Sequence, residues 1–194
     1  TIWRLIDLNG DVDAQDPGES NGYIKLTNSS AAAISAVNGI TFDSNNEMWL
    51  VNAGSGGLDD FIALCRDGNN DGDCQDAGEI LVHFEGLIGG RLGSPFGAII
   101  APLQDGLGGP IDDWLLVCDT NDAQGADSIF RFRDLNSDLD FYDAQESGYF
   151  YDEGLGDEAL GSPFSRAVTQ DGKLIINDVS MDNYYIAEDL DKDL

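Results

Sequence analysis

Residues 67–79, DGNNDGDCQDAGE, set six oxygen-bearing side chains into one short segment: Asp67, Asn69, Asp71, Asp73, Asp76 and Glu79. Five of the six are acids, and only Arg66 brings a positive charge next to them. Carboxylates crowded this closely repel one another unless a cation sits among them. The same frame recurs at 7–19 (Asp7, Asn9, Asp11, Asp13, Asp16, Glu19) and at 134–146 (Asp134, Asn136, Asp138, Asp140, Asp143, Glu146). A fourth copy opens in DLDKDL, with Asp189, Asp191 and Asp193. Oxygen donors therefore stand at positions 1, 3, 5, 7, 10 and 13 of three full loops.

The chemistry this pattern serves is that of a hard divalent cation. Calcium takes six to eight oxygens at roughly 2.3–2.6 Å, and carboxylates at alternate positions of a tight loop can converge on one point. DGNNDG at 67–72 matches the D-x-[DN]-x-[DN]-G opening of such loops, with Gly72 at the sharpest turn. Val12, Leu139 and Leu194 replace that glycine in the other copies. Their turns must be made differently or with strain. The closing Glu falls at position 13 rather than 12, and no helix pattern flanks the loops, so they are expected to sit on β-strands. Zinc would want Cys or His, yet His83 is the sole histidine and Cys74 the sole sulfur within a loop. Magnesium prefers fewer protein ligands and more water. Calcium is the expected ion. The competing reading, plain solvated hairpin turns of Asp, Asn and Gly, gives no reason for the fixed frame.

Composition supports this. The chain has 194 residues, enough for a sizeable core, with 37 acidic and 9 basic side chains and a formal net charge of −28. About half of the acids lie in the repeated loops. Such a chain repels nucleic acid and anionic membrane, and no apolar run approaches the length of a membrane span. A hydrophobic content of 42 % argues against the disorder that high charge otherwise favours. Cys65 and Cys74 bracket the opening of the second loop; a disulfide there and a pair of reduced thiols are both open at this stage. Asn28-Ser29-Ser30 is a glycosylation sequon, so a glycan at Asn28 is an expectation for a secreted protein.

The elements that must carry the loops follow from the repeat. The loops recur about every 60 residues, and LGSPFGAIIA at 92–101 is echoed by LGSPFSRAVT at 160–169. Each unit reads as four short apolar runs separated by Gly/Asp/Asn turns. The third run (FIALCRD, IFRFRD, YYIAED) enters the acidic loop and the fourth (YIKLT, EILVHFE, GYFYDE) leaves it. Four antiparallel strands per unit predict an all-β protein of β-propeller-type blades, with the calcium loop between the third and fourth strands. A β-solenoid is the less favoured rival. The divisions are a partial blade at 1–30, full blades at 31–91 and 92–158, and a partial blade at 159–194. That amounts to about three blades, fewer than a propeller needs. The open ends are expected to be completed by other copies, in a ring or head to tail in a filament. The other expectation is that the chain is a piece of a longer array.

The segments RLIDLNGDVDAQDPGE, ALCRDGNNDGDCQDAGE and RFRDLNSDLDFYDAQE resemble the calcium-loop blades of secreted bacterial β-propeller proteins. The resemblance covers nearly the whole chain and implies an extracellular or cell-surface location.

Catalytic signals are few. His83 alternates within EILVHFE as a strand side chain, the two GSPF segments read as turns, and Trp3, Trp49 and Trp114 read as packing residues on strands. No nucleophile triad and no phosphate-cradling loop is evident. The leading expectation is a calcium-stabilised extracellular scaffold that self-associates. A calcium-dependent propeller hydrolase acting on phosphate esters or lactones is the enzymatic alternative, for which the basic residues and the single His are sparse. A carbohydrate-binding adhesin is the third.

Overall fold

The computed structural model describes residues 1–24, 34–54, 60–86, 92–103, 112–121, 126–153, 159–169 and 173–187. The Asn28 sequon and the fourth acidic copy (Asp189, Asp191, Asp193) lie outside these residues.

Thirteen strands form among them, all paired antiparallel. β1 (Ile2–Leu5) and β2 (Ser20–Ile24) make a two-stranded first sheet. β3 (Val37–Phe42), β4 (Met48–Asn52), β5 (Phe61–Cys65) and β6 (Ile80–Glu85) make a four-stranded second sheet in sequence order. β7 (Pro95–Leu103), β8 (Asp112–Asp119), β9 (Ser128–Phe132) and β10 (Ser147–Asp152) repeat that order in a third. β11 (Pro163–Val168), β12 (Leu174–Asp178) and β13 (Asn183–Ala187) form a three-stranded fourth. Each acidic loop joins a third strand to a fourth: β1 to β2, β5 to β6, and β9 to β10.

Three apolar layers lie between successive sheets, and the alternation of strand side chains builds them. In β4, Met48 and Leu50 enter the layer against the first sheet, while Trp49 and Val51 enter the layer against the third. In β8, Leu115 and Val117 face back toward the second sheet, and Trp114, Leu116 and Cys118 face on toward the fourth. Central strands are therefore buried on both faces, which is why WLLVC reads as a continuous apolar run. Full burial of one such side chain is worth about 1.5–3 kcal/mol. Cys118 is buried in the third layer, whereas Cys65 and Cys74 are joined by a disulfide within the first.

Two readings of the sequence need correction. The first strands begin earlier than expected, at Pro95 and Pro163, so GSPF is half turn and half strand. Proline is tolerated there because the first residue of a strand can spare its donor. Trp3, expected in packing, is 61 % exposed, because no sheet covers its side of β1. Trp49 and Trp114 do pack, and Arg131 and Arg133 lie over the Trp114 ring.

The turn before each first strand hangs on one residue at the end of the second strand. Asn52 Oδ1 accepts the N–H groups of Ser35 and Ala36. Asp119 accepts those of Gly93 and Ser94, and Asp178 those of Gly161 and Ser162. All three are fully buried. Burial pushes the Asp178 carboxyl up, but the amides of Gly161, Met181, Ser180 and Ser162 more than offset it and hold it below the usual value. Between sheets, β3 and β7 meet backbone to backbone: a Cβ on Gly39 would stand 2.7 Å from the Ala98 nitrogen.

Two outcomes follow. Asp119→Ala leaves two buried N–H groups unpaired and lowers stability by about 2–4 kcal/mol in urea unfolding, whereas Asp119→Asn, already the natural arrangement at Asn52, costs less than half of that. Gly39→Ala forces β3 and β7 apart and lowers the melting temperature, while Ala at exposed Gly10 tests strain without crowding.

Candidate metal loops

The three loops share one hydrogen-bond plan, and its donors are backbone amides. The first Asp accepts at both oxygens. Gly10 N–H donates to Asp7 Oδ1 at 2.6 Å and Val12 N–H to Oδ2 at 2.9 Å. Ser137 and Leu139 donate in the same way to Asp134, at 2.6 and 3.0 Å. Asp71 and Gly72 donate to Asp67, at 3.2 and 2.9 Å. The closing Glu is buried in all three copies. Its Oε1 accepts the second-position N–H (Leu8, Gly68, Leu135) and its Oε2 that of the tenth (Asp16, Asp76, Asp143). These amides hold the Asp7 and Glu19 carboxyls below their ordinary values, through Gly10 and Val12 for the first and Leu8 and Asp16 for the second.

Asn at position 3 ties the acids together. Its Oδ1 accepts the N–H of the fifth residue, and its Nδ2 donates to two carboxylates at once. Asn9 reaches Asp11 at 3.1 Å and Asp16 at 2.6 Å; Asn69 reaches Asp71 and Asp76, and Asn136 reaches Asp138 and Asp143. The positive edge of this amide takes the place among the acids that a cation would take. The seventh-position acids turn the chain outward: Asp13, Asp73 and Asp140 accept the N–H of Gln15, Gln75 and Tyr142. In the third loop, oxygens of Asp134, Asp138 and Glu146 come within 4.8 Å of one another, the one such acidic group of three among the described residues. Their counterparts Asp7, Asp11 and Glu19, and Asp67, Asp71 and Glu79, hold the same hydrogen-bond places. Oxygens alone surround this point, which suits a hard cation and offers nothing to a soft one.

The loop turns by three left-handed residues, at positions 4, 6 and 12. They are Gly10, Val12 and Gly18 in the first copy, Asn70, Gly72 and Gly78 in the second, and Ser137, Leu139 and Gln145 in the third. Val12 (φ 72°) and Leu139 (φ 73°) adopt the turn that Gly72 adopts freely, so the strained alternative holds. A side chain there costs about 1–2 kcal/mol. The sequence pointed to position 6 alone; glycine or asparagine at 10, 18, 70 and 78 was the signal for the other two.

Position 8 is a second feature that composition hides. Cys74 N–H donates to the Tyr23 carbonyl on β2, and Phe141 N–H to the His83 carbonyl on β6. Both side chains are buried in the layer against the preceding sheet. Gln75 Nε2 donates to the Gly22 carbonyl, and Glu85 N–H donates to the Tyr142 hydroxyl. Each loop thus fastens its own strands and also the fourth strand of the sheet before it. His83 is buried between Trp49 and Phe141, as expected of a strand residue; burial lowers its basicity. The Arg66 guanidinium pairs with Glu47, not with the acids of its own loop.

Val12→Gly relieves a strained, exposed position, so the first loop is expected to bind a divalent cation about fivefold more tightly, read by calorimetric titration. The depressed carboxyls fix the direction of the pH effect. The stability they lend is present above the ordinary carboxyl range and is lost as pH falls through their lowered values. The Gly10 and Val12 amide resonances are expected to titrate in that acid range.

No family model matches the chain, and a search of curated proteins returns no match to it.

Proposed function

We propose that the chain is a calcium-stabilised structural protein of the cell exterior, built of propeller-type blades, that associates with copies of itself. The observation that carries the reading is the convergence of Asp134, Asp138 and Glu146 within a loop plan repeated three times. Calcium held there by carboxylates at positions 1, 5 and 13 replaces the Asn amide as the counter-charge. Rotation of that amide adds its oxygen to the set. A bound ion then rigidifies a loop already fastened to two sheets, and the ion becomes a stabiliser of sheet packing.

Blades of propeller type are supported by consecutive four-stranded antiparallel sheets, packed face to face, with first strands β3, β7 and β11 adjacent. Location outside the cell is supported by the Cys65–Cys74 disulfide, since such bonds persist in oxidising compartments. No helix among the described residues is long and apolar enough to cross a membrane.

Calcium at 100 times its dissociation constant stabilises a folded chain by about 2.7 kcal/mol per site. Chelation with EDTA is therefore expected to lower the melting temperature by many degrees, and added calcium to restore it. A melting curve indifferent to both sinks the calcium reading. Asp71→Ala is expected to remove one bound ion per chain in calorimetric titration; an unchanged stoichiometry refutes the ligand assignment.

A further inference from the structure

Each apolar layer is made in one way: the forward face of one sheet meets the backward face of the next. On the third sheet the forward face is carried by Leu116, Cys118 and Ile129, and on the second the backward face is carried by Leu50, Ala63 and Cys65. The fourth sheet has a forward face that nothing covers. Cross-strand pairing equates Tyr184, opposite Asn177, with Ile129, opposite Cys118. It equates Ile186, opposite Ile175, with Arg131, opposite Leu116. Tyr184 and Ile186 are 75 % and 69 % exposed, although Ile129 is fully buried.

The first sheet has the opposite vacancy. Leu5 and Cys65 both precede an acidic loop and pair with the residue that follows it, Ser20 and Ile80. Trp3 and Leu5 thus hold the places of Ala63 and Cys65, on a backward face. They are exposed, while Ala63 and Cys65 are buried. Beside them a groove of about 540 Å³ runs along the unpaired edge of β1, floored by Ile40, Phe42 and Met48 of the second sheet. Ile40 and Phe42 pair with Leu50 and Met48, so they too belong to a backward face.

We propose that these surfaces are the two halves of one head-to-tail interface: the forward face of the fourth sheet of one copy seats on the Trp3–Leu5 face and adjoining groove of a second copy. The occupant is a second copy because this chain carries both complementary halves of a layer that it forms three times internally. β13 lies over Trp3 and Leu5, and β11 and β12 extend over the Ile40–Phe42 groove. The two halves are different surfaces, so the contact is heterologous and each pairing leaves one of each unused. This inference rests on the calcium reading at one point: copies with a formal charge of −28 repel, and ions in the loops reduce that repulsion.

The test is sedimentation velocity of the full chain over a concentration series in calcium, with Trp3→Asp and Ile186→Asp variants. Both side chains are largely in solvent, and each variant is checked for wild-type melting and calcium stoichiometry; Tyr184→Asp replaces Ile186→Asp should that variant fold poorly. The wild type is expected to grow with concentration beyond a dimer or to close as a ring. Each variant alone is expected to remain monomeric, its self-association weakened at least about tenfold. An equal mixture is expected to form a one-to-one complex that grows no further, because each variant keeps the half the other has lost. A monomeric wild type with ions bound, variants that associate like the wild type, or a mixture that stays monomeric overturns the interface. Absence of bound ions, with association recovered at high salt in EDTA, overturns the calcium reading and leaves the interface standing.

Discussion

Repulsion among carboxylates is the constraint that shapes every unit of this protein. Five acids share a thirteen-residue loop, and the nearest guanidinium, Arg66, is committed to Glu47. The protein answers with main-chain amides. Turning enough N–H groups inward requires left-handed residues at three places, and two copies accept that conformation with Val and Leu. Backbone strain, buried Glu side chains and the Asn crosslink are consequences of one electrostatic problem. A divalent ion at the same point solves it more completely.

The same loops also organise the sheets. A hairpin rich in charge would ordinarily project into solvent, but position 8 turns each described loop back onto the sheet before it. Cys74 and Phe141 are chemically unlike, yet both bury a side chain and donate an N–H to a fourth-strand carbonyl. In the first loop the place belongs to Ala14, half-buried, with no preceding sheet to meet. Charge on one side of a loop and packing on the other explain how an acidic chain keeps a continuous core.

Strand order, the place of the loops and the burial of His83 were legible because they rest on local patterns. Apolar alternation, turn residues and a repeated frame all act within a few positions. What escaped reading depends on partners distant in sequence. The bond from position 8 to another sheet has no signature in residue type. The buried capping role of Asn52, Asp119 and Asp178 is hidden because an acid ending an apolar strand looks like an ordinary turn residue. Trp3 was misjudged because its burial depends on a neighbour rather than on its own strand. The acidic frame itself was plain, but which oxygens converge became visible only with the loop folded.

Because every layer joins adjacent sheets alone, cooperativity in this chain is a nearest-neighbour property. Strands β4, β5, β8 and β9 are enclosed on two sides, whereas β1 and β13 are enclosed on one. Thermal opening therefore begins by fraying at the two outer sheets, and amide hydrogens exchange most slowly in the middle of the array. Adding a unit lengthens the protected centre without altering the ends, so such an array can change length by whole units while each retained unit keeps its environment.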